Sequence, residues 1–197
     1  MRIDQTDLEI QREPFARPFA FKGSAFHEKW NLIARLRDDT AGTQAFGVGG
    51  LAVLWSDSRV FARHSEMGGN ALMVAILERG LALAKDVGEV ESPPQLLSSI
   101  LPAVEDYARV VTGVRDLSRT FILNALVALG NAAWILWSKN HGVTAFESLV
   151  PLQARDSLAV RQQQLALAPA VGYNMPDAQV RSLLQEGAGI LKVKIGH

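Results

Sequence analysis

The sequence predicts an α+β chain: a small three-stranded antiparallel meander, a helical layer covering it, and then a strand–helix–strand unit whose two strands run parallel. Three observations carry this. The first fifty residues show period-two alternation broken by Gly- and Pro-rich turns. The middle of the chain shows apolar residues at helical spacings behind capping signals. The last thirty residues run from an apolar stretch through an amphipathic segment to LKVKIG.

The elements follow in order. Phe15–Phe21 is aromatic but broken by Pro14 and Pro18, which suits an edge strand or its approach. Asn31–Arg37 places Leu32, Ala34 and Leu36 on one side. Asp38–Thr43 is a turn, and Gln44–Leu54 resumes extended character, with Lys22–Trp30 and Trp55–Met67 as connecting loops. Gly68-Gly69-Asn70 leads into a helix carrying Leu72, Ala75, Ile76 and Leu83. Ser92 is the N-cap and Pro93 the first residue of a helix to about Val111. Ser118 or Thr120 opens a third helix that runs to about Asn140 and stops at Gly142. Beyond Pro151, Leu165–Val171 is a strand, Met175-Pro176-Asp177 starts a helix with Val180, Leu183 and Leu184 on one face, and Ile190–Gly196 is the second strand. A parallel pair cannot bury its faces by itself.

Composition narrows the function classes. With 197 residues, 48% of them hydrophobic, and 20 basic against 20 acidic residues, the chain is too apolar and too evenly charged to be disordered. Zero formal net charge argues against a nucleic-acid binder held by phosphate neutralisation. The absence of Cys removes disulfides, thiolate zinc sites and cysteine nucleophiles, and fits a reducing, cytoplasmic setting. Phe121–Trp137 is near a membrane-spanning length, but Asn124 and Asn131 share one helical face, so a buried core helix is the better reading and no membrane partner is expected.

Lys192 and Lys194 are the sharpest chemical feature. Two apart on a strand, they leave the same face about 6–7 Å apart at the backbone. Leu191, Val193 and Ile195 point the other way, as for a strand packed beneath helices. Two cations on an inner face disfavour each other's charge, so one could lose its proton near neutrality and act as a base. The alternative is an exposed edge strand with two solvated lysines. Elsewhere, His27 with Glu28 lacks a third metal ligand, and a solvated loop is the plainer reading. Neither His64 nor Glu66 suggests catalysis. Gly47-Val48-Gly49-Gly50 lacks the Lys-Ser/Thr of a phosphate loop, and His141 beside Gly142 reads as a cation at a helix C-terminus.

Taken together, the helix NALVALGNAAWILWSKNHGV (Asn124–Val143), the linker-like Phe146–Pro151 and the strand LKVKIG with its Lys-x-Lys pattern resemble the enolase superfamily, in the mandelate racemase and muconate lactonizing enzyme branch. Gly130 and Ser138-Lys139 depart from the Asp and Gly-Lys common in that family. The resemblance implies an α+β capping domain over residues 1–150 and, over 151–197, the first two strands of a TIM-type (β/α) barrel. It implies an Mg²⁺-dependent enzyme that abstracts the proton α to a carboxylate, of acid-sugar dehydratase or racemase/epimerase type. Lys194 would be the base and Lys192 its electrostatic partner, with Phe26, Trp30 and Trp55 supplying an apolar wall for a hydroxy-acid or acid-sugar substrate. Ordinary core or hinge packing of those three aromatics stays open. The Mg²⁺ ligands would lie on later barrel strands, beyond residue 197, and the assembly would be a homo-oligomer. The rival expectation is a non-catalytic remnant, or a dimerisation or interaction module.

Overall fold

The computed structural model describes residues 1–21, 24–150, 152, 155–160 and 162–195. Lys22 and Gly23 of the expected first loop, Pro151 of the linker and Gly196 of the last strand lie outside them. The chain divides into two units, Met1–Glu13 with Lys29–Leu149, and Pro14–Glu28 with Val150–His197.

A three-stranded sheet runs in the order β1 (Gln5–Phe21), β2 (Ser24–Asp38), β3 (Thr43–Gly50); the first unit holds β1 as far as Glu13, β2 from Lys29 and all of β3. β2 and β3 are antiparallel, with Leu32 opposite Gly49, Ala34 opposite Gly47 and Leu36 opposite Ala45. Leu32, Ala34 and Leu36 are fully buried, as their alternation dictates. The connecting turn is fixed by Gly42 at φ 65° and by buried Asp38, whose carboxylate accepts from the N–H groups of Arg2 and Ala41 and from Asn140 Nδ2.

Three expectations about this region are corrected. β1 begins at Gln5 rather than Phe15, because Thr6, Leu8 and Ile10 already alternate with Asp7 and Glu9; Pro14 and Pro18 are tolerated because β1 lies at the sheet edge. Ser24–Trp30, expected in a loop, continues β2; the polar run His27-Glu28-Lys29 hides its alternation. β3 stops at Gly50 instead of continuing to Leu54. Asn124 ends it: its Oδ1 accepts the Ala52 N–H at 2.9 Å and its Nδ2 donates to Gly50 O at 3.1 Å, so the chain turns into the short helix α1 (Val53–Ser56).

The expected loop Trp55–Met67 is largely helical. Asp57 caps α2 (Ser58–Asp86) by accepting from the Arg59 N–H, and α2 is interrupted at Ser65, with φ 64° and ψ −178°. That backbone region is essentially glycine's. Ser65 Oγ accepts weakly from the Gly68 N–H at 3.5 Å, a cap worth only a few tenths of a kcal/mol over glycine. Ser65→Gly should therefore stabilise the protein by about 1 kcal/mol, read as a raised urea midpoint; a lowered midpoint would show that the cap outweighs the strain.

Helix α3 (Pro93–Thr112) starts as expected, with Ser92 Oγ accepting the Gln95 N–H, buries Leu96, Ile100 and Val104, and ends at Gly113 with φ 65°. The expected third helix is two, α4 (Arg119–Ala125) and α5 (Val127–Asn140), bent by 52° at Leu126. The bend lays α5 along β3 and α4 against α2. Helix α2, and α4 with α5 taken together, are long and apolar enough to cross a membrane by length and composition; here they bury Met73, Ile76, Leu77, Phe121, Leu129 and Leu136 in the core. The short helix α6 (Phe146–Leu149) follows.

In the second unit a 3₁₀ turn at Asp156–Leu158 precedes β4 (Ala170–Val171), α7 (Asp177–Gln185) and β5 (Lys192–Val193). β4 and β5 are parallel, Ala170 opposite Lys192 and Val171 opposite Val193, which is the expected strand–helix–strand unit. The first strand is shorter than the apolar run Leu165–Val171 suggests. Val193 and Ile195, expected beneath helices, are 57% and 86% exposed. Apolar alternation identified the strand there but not a cover for it.

Candidate active site

The end of β5 is positioned by α7. Gly187, at φ 97°, closes α7 with its N–H on Leu184 O while Ala188 N–H reaches Leu183 O, turning the chain back into the strand. The Lys192 N–H then donates to Pro169 O at 2.9 Å and the Lys194 N–H to Val171 O at 3.0 Å. These alternate bonds give Lys192, which opens β5, and Lys194, just past its C-terminal end, the same sense along the chain. Lys192 is exposed and Lys194 half-buried. Beside the C-terminal end of β4 lies a cavity of about 370 Å³, lined by Phe15, Pro18, Phe19, Gly172, Asn174 and Met175 among others.

Of the three aromatics, Phe26 is half-buried in the second unit, which also carries the two lysines. Trp30 and Trp55 belong to the first. Trp30 is 8% exposed and part of the core cluster, with the Arg12 guanidinium 5.0 Å from its ring centre, so core packing describes it. Trp55 is 55% exposed on α1. Beside Trp30, Lys29 donates to Leu51 O at 2.6 Å, and burial pushes its pKa down.

His27 and Glu28 lie on β2, His27 exposed and Glu28 half-buried. Among the described residues no three His, Asp or Glu side chains come together as a metal site, so these residues do not fit a magnesium ion. His64 Nε2 sits 3.3 Å from Thr112 O, and His141 stacks on Trp137 with ring centres 4.2 Å apart at the end of α5. The glycines of Gly47–Gly50 serve packing: a Cβ at Gly49 would lie 2.6 Å from Ala128 N.

Asp57, expected in a connecting loop, is instead an N-cap, for which Asp-Ser-Arg before an apolar run is a sequence signal. Its buried carboxylate accepts from Arg59 Nε and Nη2 and from the Ser118 N–H at 3.0 Å, and Arg59 reaches on to Asp116. Desolvation pushes the Asp57 pKa up, but these bonds outweigh it and hold the value below the ordinary carboxylate range. A depressed folded pKa contributes stability above the unfolded value of about 4 and loses it as pH falls through the folded value. Asp57→Ala should thus cost about 2–3 kcal/mol at pH 7, from the lost cap and the stranded Ser118 N–H, and less at pH 3. Urea unfolding at both pH values checks this; an equal loss at both would remove the charge from the account.

No protein-family model matches the sequence, and no curated protein matches it. Solved structures do. A member of the enolase superfamily from Listeria innocua Clip11262 matches all of this chain at 14% identity and a TM-score of 0.62, over 45% of its own length. Over this span the fold is that of solved enolase-superfamily structures. A mandelate racemase/muconate lactonizing enzyme-like protein from Rubrobacter xylanophilus matches at 15% identity and a TM-score of 0.59, again over all of this chain and 45% of its own. A dipeptide epimerase from Enterococcus faecalis V583, solved with Mg and the dipeptide L-Leu-L-Tyr, matches at 12% identity and a TM-score of 0.56, over all of this chain and 46% of its own. The chain thus spans less than half the length of these enolase-superfamily structures. Its sheet and helices correspond to a capping architecture, and its parallel pair to the start of a barrel.

Proposed function

We propose that this chain is the capping domain (1–150) and first two barrel strands (151–197) of an enzyme that removes the proton α to a carboxylate. What supports the proposal is that Lys194 follows the last residue of β5, two positions after Lys192, at the C-terminal end of the parallel pair, the end at which parallel β/α barrels gather reacting groups. The likeness to a structure solved with a dipeptide as an epimerase supports a racemase or epimerase outcome, with dehydration of a hydroxy acid or acid sugar as the second outcome.

In this reading Lys194 takes the α-proton and Lys192, next along the same side, acts as its electrostatic partner. Phe26, which lies in the same unit as the two lysines, contributes apolar contacts to a small carboxylate substrate. Magnesium enters only as an ion held by residues outside those described. The full-length protein should be incubated with dipeptides and with 2-hydroxy acids, the products being resolved by chiral chromatography. Inversion at the α-carbon supports epimerisation, and loss of water with formation of a keto acid supports dehydration. No conversion across both classes, with magnesium supplied, would contradict the proposal.

A further inference from the structure

Asn174 follows β4 in a turn closed by the Met175 N–H on Gly172 O, and its side chain reaches the tip of β1 within the same unit. Its Oδ1 accepts the Ala20 N–H at 3.3 Å and its Nδ2 donates to Pro18 O at 2.9 Å. A residue on a strand's parallel neighbour donates to the carbonyl before the facing residue and accepts from the N–H after it. The Asn174 amide does the same to the edge of β1 around Phe19, substituting one side chain for a strand. Gly172 makes room for this approach. A Cβ there would meet the Phe19 ring at 3.2 Å and Ala20 O at 3.3 Å. Phe15, Ala16, Arg17, Pro18 and Phe19 form one wall of the cavity of about 370 Å³ at the end of β4, and Ala170, Gly172, Asn174 and Met175 form the other.

We infer that Asn174 is a positioning residue, whose side-chain amide clasps the tip of β1 to the C-terminal end of β4 and thereby fixes the Phe15–Phe19 wall of that cavity. Its importance for turnover rests on the function proposed above; the clasp itself does not. Both hydrogen bonds are exposed, so water competes for them and the wall can open when either is lost.

The test uses the full-length protein and its Asn174→Ala, Asn174→Asp and Gly172→Ala variants. Amide exchange at Ala20 should quicken at least tenfold in Asn174→Ala. Asn174→Asp keeps the acceptor for the Ala20 N–H but sets an oxygen against Pro18 O, so it should fall between wild type and Asn174→Ala. Gly172→Ala should reproduce the faster exchange with the amide still present. In α-proton exchange assays, KM should rise several-fold in all three variants while kcat changes less. Unchanged Ala20 exchange in Asn174→Ala overturns the clasp. Faster exchange with unchanged KM overturns the positioning role. A wild-type protein that converts no carboxylate counts against the proposed function, and Ala20 exchange then still decides the clasp.

Discussion

Gly47→Ala should lower the stability of the protein by about 3 kcal/mol or more, the largest loss expected from adding a single methyl group. On β3, Gly47 faces α5, and a Cβ there would collide with the backbone of Ala128 and Ala132 rather than with a side chain that could swing away. Relief would require α5 to lift off the sheet, opening the core around Ala34, Ala128, Ala132 and Leu136. Gly49 faces the preceding turn of α5 under the same constraint, with its Cβ 2.6 Å from Ala128 N. Gly42, by contrast, has nothing within 4 Å of its would-be Cβ, and only its φ of 65° resists substitution. Gly42→Ala should accordingly cost about 1 kcal/mol. Urea unfolding of the two variants separates contact from conformation, and equal losses would contradict the close approach of α5 to β3.

The same glycines show what the sequence could and could not reveal. Leu32, Ala34 and Leu36 announced their strand because alternation is a local signal, and Ser92-Pro93 announced α3 because capping is local too. The glycines of β3 were legible only as an absence of a phosphate loop, since their partners Ala128 and Ala132 lie some eighty residues away in sequence. The end of β3 and the bend at Leu126 were illegible for a related reason. Both are tied to α4, whose Asn124 bonds to Gly50 and Ala52. The helical stretch after Asp57 is hard to read locally because its apolar run is short, Val60-Phe61-Ala62, and the helix is interrupted at Ser65.

At the candidate site, spacing predicts Lys192 and Lys194 on one side of a strand, and the parallel pairing with β4 takes in Lys192 and Val193. Only the family resemblance groups the three aromatics. The structure places Phe26 in one unit and Trp30 and Trp55 in the other, with Trp30 taken up by the core. Asn174 carries no sequence signal because its partners are backbone atoms of Pro18 and Ala20, which have no residue signature.

Lys194→Ala should reduce α-proton exchange by about 10²–10⁴-fold, the usual contribution of a positioned general base. The ladder bond from position 194 to Val171 O comes from the backbone and is kept in the variant, and a urea midpoint measured alongside separates loss of the base from loss of the fold. Lys194→Arg should fail in the same way, since a guanidinium stays protonated and cannot accept the proton. Lys192→Ala should leave more activity than either, as expected of a partner rather than the base. The decisive measurement is proton NMR of the full-length protein with a dipeptide or hydroxy-acid substrate in D₂O, in wild-type and Lys194→Ala forms. The account predicts that the α-proton signal disappears with the wild type and persists with the variant. Equal loss of that signal with both proteins would contradict it.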